Sequence, residues 1–254
     1  MKILNVFSKF IAASALVTAA LSANALTVGG VTWDPNADAA NGFPELTDFV
    51  ANGSLIETPT DGIPGTVVTG QGKVDAINSA IDGGFCAGCE LTFTFSMITQ
   101  SVTPTGNPNE FDFVFNSLVV NFYVDFTPDY NGSSASAGSE GGANALWLQL
   151  TLNGTLEGTG FNIGTGSDLG SGSGLFDVTG GLAAVYFDTN GELGGTDMSF
   201  TSSFQPVLDG NGNPTRILTG TWELQGNTIS VPEPETMVLF GLGLLGLGFA
   251  RRRK

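Results

Sequence analysis

Two short stretches set oxygen-bearing side chains at alternate positions. Asp209-Gly210-Asn211-Gly212-Asn213 offers Asp209, Asn211 and Asn213, and Asp188-Thr189-Asn190-Gly191-Glu192 offers Asp188, Asn190 and Glu192. These match positions 1, 3 and 5 of a calcium loop, where a hard cation takes oxygen ligands. Both stretches lack the glycine of position 6, where Pro214 and Leu193 stand. Both also lack the acid of position 12, where Gly220 and Ser199 stand. Asn-Gly and Asp-Gly equally supply the positive φ of hairpin turns. Turns are the favoured reading, and calcium is the alternative; no other cofactor is expected.

Cys86-Ala87-Gly88-Cys89 is a CxxC pair in a chain with two cysteines. A thioredoxin-like role needs a βαβ context, which the sequence lacks. Haem attachment needs a histidine where Glu90 stands, and zinc needs about four ligands. In an exported chain the pair reads as a disulfide, Cys86 to Cys89. Trp147 falls on the polar side of an alternating run. It either lies under the Gly/Ser loop before it, which is favoured, or stacks on a sugar ring. Asp112, Asp125 and Glu223 are candidate glycosidase acids, a role that needs two carboxyls about 5–9 Å apart. Asn52, Asn131 and Asn153 head glycosylation-like triplets that read as turns.

Composition narrows the field. Of 254 residues, 41% are hydrophobic and 13% charged, against about 25% charged in an ordinary soluble domain. There is enough apolar material for a core, which excludes a polar disordered chain. Histidine is absent, so a histidine-based triad and a histidine metal site are excluded. The 24 acidic residues face 8 basic ones, the wrong balance for nucleic acid. Between residues 26 and 230 only Lys73 and Arg216 oppose 22 acids. A cation would relieve that self-repulsion.

Period-two alternation dominates the middle of the chain. Residues 91–97, 111–115, 118–126, 146–152, 198–204 and 218–224 each alternate apolar with polar side chains. Asn116-Ser117 reads as a turn or bulge between two of these runs. Val185 and Phe187 hint at another strand. Val74, Ile77 and Ile81 have helix-like spacing but suit a short edge strand equally. Gly/Ser-rich residues 131–145 and 164–174 read as mobile loops, and 26–60 as an irregular wrap. No helix of three turns stands out. The expectation is a single all-β domain over 26–230, an antiparallel β-sandwich of jelly-roll type.

The ends follow other rules. Lys2 and Lys9, an apolar stretch from Phe10 to Leu21, and Ala23-Asn24-Ala25 read as a secretory signal peptide over 1–25, cleaved after Ala25. Handling by the Sec translocon and signal peptidase follows. At the other end, residues 231–254 form a tail. Val231-Pro232-Glu233-Pro234-Glu235 cannot continue a helix. Thr236 to Ala250 is apolar and reads as one short hydrophobic transmembrane helix, below the comfortable length of about 20 residues. Arg251, Arg252, Arg253 and Lys254 form a basic stop that favours the cytoplasmic side.

Pro232-Glu233-Pro234, the apolar span and the terminal basic cluster together resemble the PEP-CTERM sorting signal. The resemblance implies a Gram-negative bacterium that makes exopolysaccharide. It implies a transient inner-membrane anchor, an exosortase partner that recognises Pro232, Glu233 and Pro234, and a final place at the cell surface or in the extracellular matrix. Gly70-Gln71-Gly72-Lys73-Val74, the stretch from Phe85 to Phe93, and Val120-Asn121-Phe122-Tyr123-Val124-Asp125 also look like flocculation-associated PEP-CTERM proteins. That likeness implies a non-enzymatic protein that helps cells aggregate within exopolysaccharide. The alternative is a secreted carbohydrate-binding module, calcium-dependent if the two loops bind; a secreted glycosidase ranks last.

Overall fold

The computed structural model describes residues 25–35, 47–133 and 145–229. A small hairpin, β1 (Leu26–Val28) and β2 (Val31–Trp33), precedes the main sheet. The sheet holds β3 (Phe49–Glu57), β4 (Val67–Ile77), β5 (Ala80–Ile81), β6 (Glu90–Pro104), β7 (Glu110–Asp125) and β8 (Ala145–Phe161). It continues with β9 (Leu169–Gly180), β10 (Met198–Leu208) and β11 (Pro214–Gly226). Between β9 and β10 lie a short helix, α1 (Ala184–Phe187), and a 3-10 turn, Leu193–Gly195.

The sandwich expectation is corrected here. Running from β3 through β11, β10, β9, β8, β7 and β6 to β4, each strand pairs antiparallel with the next, and β4 pairs back with β3. This is a closed eight-stranded up-and-down barrel; β5 is a two-residue addition to β4. Alternation along a strand is the same in sandwich and barrel, so it does not separate them. The decision rests on β3, which pairs with β11 through Leu218↔Glu57 to Gly226↔Phe49 and closes the sheet. Closure removes the exposed strand edges that an open sandwich must protect.

Three further expectations change. Residues 49–57 are a barrel strand, not part of an irregular wrap. Leu169–Gly180 is β9, although its first half is Gly/Ser-rich. Val185 and Phe187 lie in α1, not in a strand. The Asn116-Ser117 break is a bulge within a continuous β7, with a register shift between Phe115 and Val119 and Ser117 at φ 55°.

Phenylalanines fill the barrel, and glycines on neighbouring strands give them room. Phe95 stands opposite Gly70, Phe93 opposite Gly72, and Phe113 opposite Gly158. A Cβ at those glycines would come within 2.3–2.4 Å of the facing ring. Eight strands enclose a space just wide enough for side chains, and here they leave a cavity of about 50 Å³.

Both ends are closed. At one end Trp33 meets Phe49, Trp147, Tyr186 and Phe187 at ring separations of 5.1–6.4 Å. At the other, residues 58–66 dock on β6 through Gly65 N–H to Thr99 O (2.8 Å) and Thr99 N–H to Thr66 O (2.9 Å). The loop over residues 162–168 meets them there: a Cβ on Gly164 would stand 3.1 Å from the Asp61 carbonyl oxygen.

No helix among the described residues is long and apolar enough to cross a membrane. The expected signal peptide and the expected C-terminal helix lie outside the described residues, as do residues 134–144 of the 131–145 loop.

Candidate functional site

The barrel wall presents opposite chemistry on its two faces. Inside are the rings and aliphatic groups; outside, short polar side chains bond across the strands. Gln149 Nε2 donates to Asn121 Oδ1 at 2.8 Å, and Asn153 Nδ2 to Asp177 Oδ2 at 2.8 Å. Thr151 and Thr179 hydroxyls lie 3.0 Å apart, as do those of Ser203 and Thr221. Thr159 Oγ1 donates to Asp112 Oδ1 at 3.1 Å.

On the β4–β3–β11–β10–β9 side this wall sinks into an open groove of about 570 Å³. Asn52, Asp75, Thr201, Ser203, Thr221 and Glu223 line it. Its floor passes over Gly53, where a Cβ would lie 2.0 Å from the Lys73 carbonyl oxygen, so only glycine lets β3 and β4 approach this closely. Glu223 accepts a short hydrogen bond from Gln225 Nε2. The groove offers hydrogen-bond donors and acceptors in rows, which suits a polyhydroxylated ligand.

The aromatic-plugged end carries a polar cluster that sequence reasoning missed. Glu90 is 2% exposed and directly opposite Asp125 in the ladder. Its Oε1 accepts the N–H groups of Asp129 (2.9 Å) and Tyr130 (2.8 Å). Its Oε2 lies 3.5 Å from Lys73 Nζ, which also pairs closely with Asp82. Burial pulls the Lys73 ammonium down, but the Asp82 hydrogen bond and the charges of Asp82 and Glu90 outweigh it and hold it above its usual value. Glu90, Asp125 and Asp129 each bring a carboxylate oxygen within 4.8 Å of the others. Only the pairing of β6 with β7 brings them together, and a linear pattern does not show that.

At the other end Glu57 faces the cavity. Burial, with the Asp168 charge adding, pushes its carboxyl up to about 8. Asp168 is fully buried and accepts the N–H groups of Gly164, Thr165 and Gly166 at 3.0–3.2 Å. Burial raises its carboxyl as well, against those hydrogen bonds and the Arg216 charge.

The predicted site residues fall as follows. Cys86 and Cys89 are joined by a disulfide with Cα atoms 5.2 Å apart. Trp147 is 1% exposed; its Nε1–H donates to the Val28 carbonyl at 3.0 Å, and its ring packs on Trp33 and Phe187. It therefore has no open ring face for a sugar, and the stacking expectation is corrected. Asp209 Oδ1 accepts the N–H groups of Asn211 and Asn213 at 2.8 Å, an Asx-type turn between β10 and β11. Those backbone bonds hold its carboxyl below the usual range.

In the other loop Asn190 Nδ2 reaches Asp188 Oδ1 at 3.4 Å, while the backbone is organised by Asp197. Asp197 Oδ1 accepts from Thr189 and Asn190, and its Oδ2 from Val178. Burial raises the Glu192 carboxyl. The acidic trio at Glu90 belongs to neither predicted loop. Asp112 and Asp125 lie near opposite ends of β7, roughly 40 Å apart along an extended strand. Glu223 lies on a non-adjacent strand, so the three do not form a carboxyl pair.

The described chain is thus a closed up-and-down barrel with a filled interior and a polar, acidic outer wall. Residues 230–254 match the family model of the PEP-CTERM protein-sorting motif. That match supports a PEP-CTERM protein: the chain carries a signal for export and membrane-anchored sorting, and the signal implies processing by an exosortase. Pro232, Glu233, Pro234 and Arg251 to Lys254 lie within that match. Comparison with curated proteins and with solved structures found no significant match.

Proposed function

We propose that this chain is a non-enzymatic matrix protein that helps cells aggregate within their exopolysaccharide. Its tail would deliver the barrel through a transient inner-membrane stage to the cell surface or matrix. The observation that carries this reading is the division of the wall. The interior is occupied by the protein's own side chains, so the outer hydroxyl, amide and carboxylate surface is what remains to meet a partner. A sorting tail alone fits many cargoes; a rigid barrel with a polyol-compatible exterior fits a matrix role. The second reading, a secreted carbohydrate-binding module, is favoured by the groove across β10, β11, β3 and β4. Calcium at the two predicted loops stays an open part of that second reading.

The test is floc sedimentation and terminal-peptide mass spectrometry in the producing cells. Loss of the chain is expected to slow sedimentation. A matrix form beginning at Leu26 and ending near Pro232 is expected beside it. Normal flocs in the deletion strain, or an intact Lys254 terminus found only in the membrane, would sink the proposal.

A further inference from the structure

We propose that the outer groove binds a polysaccharide bearing free amino groups, with Asp75 and Glu223 meeting its ammonium groups. This rests on the matrix reading above and names the polymer class.

Register makes the groove an ordered surface. One cross-strand row runs Ser171, Ser203, Thr221, Ser54, and the adjacent row runs Ser173, Thr201, Glu223, Asn52. Asp75 closes the second row beside the β3 bulge between Asn52 and Gly53. Neighbouring strands lie about 4.8 Å apart, close to the advance of one pyranose along an extended polymer. A chain lying across the strands would therefore meet hydroxyl, amide or carboxylate groups at each sugar.

Charge selects the kind of sugar. Among the described residues the ion pairs are Lys73 with Asp82 and Glu90, and Arg216 with Asp61. The groove acids Asp75 and Glu223 are in none of them. Lys73 and Arg216 are also the only basic residues between 26 and 230, so that stretch has no further cation to bring to the groove. A polyuronate meets like charge there, a neutral glycan leaves both carboxylates uncompensated, and a polyamine-bearing glycan offsets them.

The test is co-sedimentation of the full chain, purified in mild detergent, with polyglucosamine, its fully N-acetylated form and a polyuronate. Binding to polyglucosamine at least tenfold tighter than to the other two is expected. Asp75→Asn with Glu223→Gln should weaken it at least tenfold. Asp112→Asn with Glu157→Gln removes the same charge from the β7–β8 wall and should change binding less than twofold. Equal weakening by the two pairs would reduce the effect to bulk charge and overturn the site. So would equal binding of the acetylated polymer, or no binding at all. Near-ultraviolet circular dichroism of each variant checks that the barrel is intact.

Floc sedimentation separates the two claims. If the deletion strain flocculates poorly but the groove variants bind normally, the site falls and the matrix role stands. If the groove behaves as expected and the deletion strain flocculates normally, the matrix role falls.

Discussion

Phe93 on β6 stands directly across the ladder from Gly72 on β4, and the ring occupies the space a side chain there would take. A Cβ on Gly72 would lie 2.4 Å from Phe93 Cζ and 2.2 Å from the Ser54 carbonyl oxygen. At Gly70, Gly72 and Gly158 the barrel uses glycine to seat an aromatic ring from the neighbouring strand. Gly72→Ala is therefore expected to destabilise the barrel by about 1–3 kcal/mol or more, the range of core overpacking. Gly210, with nothing near its would-be Cβ and no positive φ, is the control. Gly210→Ala should shift stability by less than about 0.5 kcal/mol. Urea midpoints of the two variants check the contrast, and equal shifts would refute it.

Glu57 makes stability depend on pH in a defined direction. Its carboxyl titrates near 4.5 in the unfolded chain and near 8 in the barrel. Below pH 4.5 both states hold the proton. Between pH 4.5 and 8 the unfolded chain releases it while the barrel keeps it, so each pH unit costs the folded state about 1.4 kcal/mol. Above pH 8 both are ionised and the dependence flattens. Glu57→Gln should remove this slope and stabilise the barrel at pH 8 by a few kcal/mol relative to wild type. The measurement is the difference in unfolding free energy between variant and wild type at pH 5 and pH 8. A difference that does not grow with pH would show that Glu57 ionises freely in the barrel.

Trp147 is a closing residue of the plugged end. Trp147→Phe keeps a ring against Trp33 and Phe187 but loses the bond to the Val28 carbonyl. It should cost about 1 kcal/mol. Trp147→Ala should cost about 3–5 kcal/mol through the cavity it leaves. Neither change should alter polymer binding per folded molecule. A selective loss of binding with normal melting would instead place this ring at a sugar.

The strands whose faces alternate were legible in the sequence. Leu91 to Met97 in β6 and Leu148 to Leu152 in β8 turn their apolar sides inward, and a register shift opposite Phe122 and Tyr123 puts Trp147 rather than Leu146 in the core. Two elements were not legible, for one reason. In β9 the inward positions 170, 172 and 174 are glycine, because rings from neighbouring strands fill the space. Phe204 faces Gly170, and Phe200 faces Gly174. In β3 the inward series is interrupted by Gly53 at the bulge. An inward glycine erases the apolar signal that alternation depends on, so the strands that close the barrel resemble loops. The groove was hidden similarly. Its lining residues come from five strands and become a surface only through register.

Lys73 and Glu90 provide the last test, because the two ends of their contact differ in burial. Glu90 is 2% exposed, whereas the Lys73 side chain is 21% exposed and shared with Asp82. Lys73→Met leaves a buried carboxylate held by the two amides of Asp129 and Tyr130, near Asp125 and Asp129. Removing one partner of a buried pair costs about 3–5 kcal/mol when both are fully buried. The partial exposure of Lys73 reduces this to roughly 2 kcal/mol. Glu90→Gln in the same background should recover part of that loss, because a neutral amide no longer needs the ammonium. The double-mutant cycle should therefore give a coupling of about 1 kcal/mol or more. Additive losses across the cycle would mean that the two amides alone hold Glu90 and that Lys73 serves Asp82 on the surface.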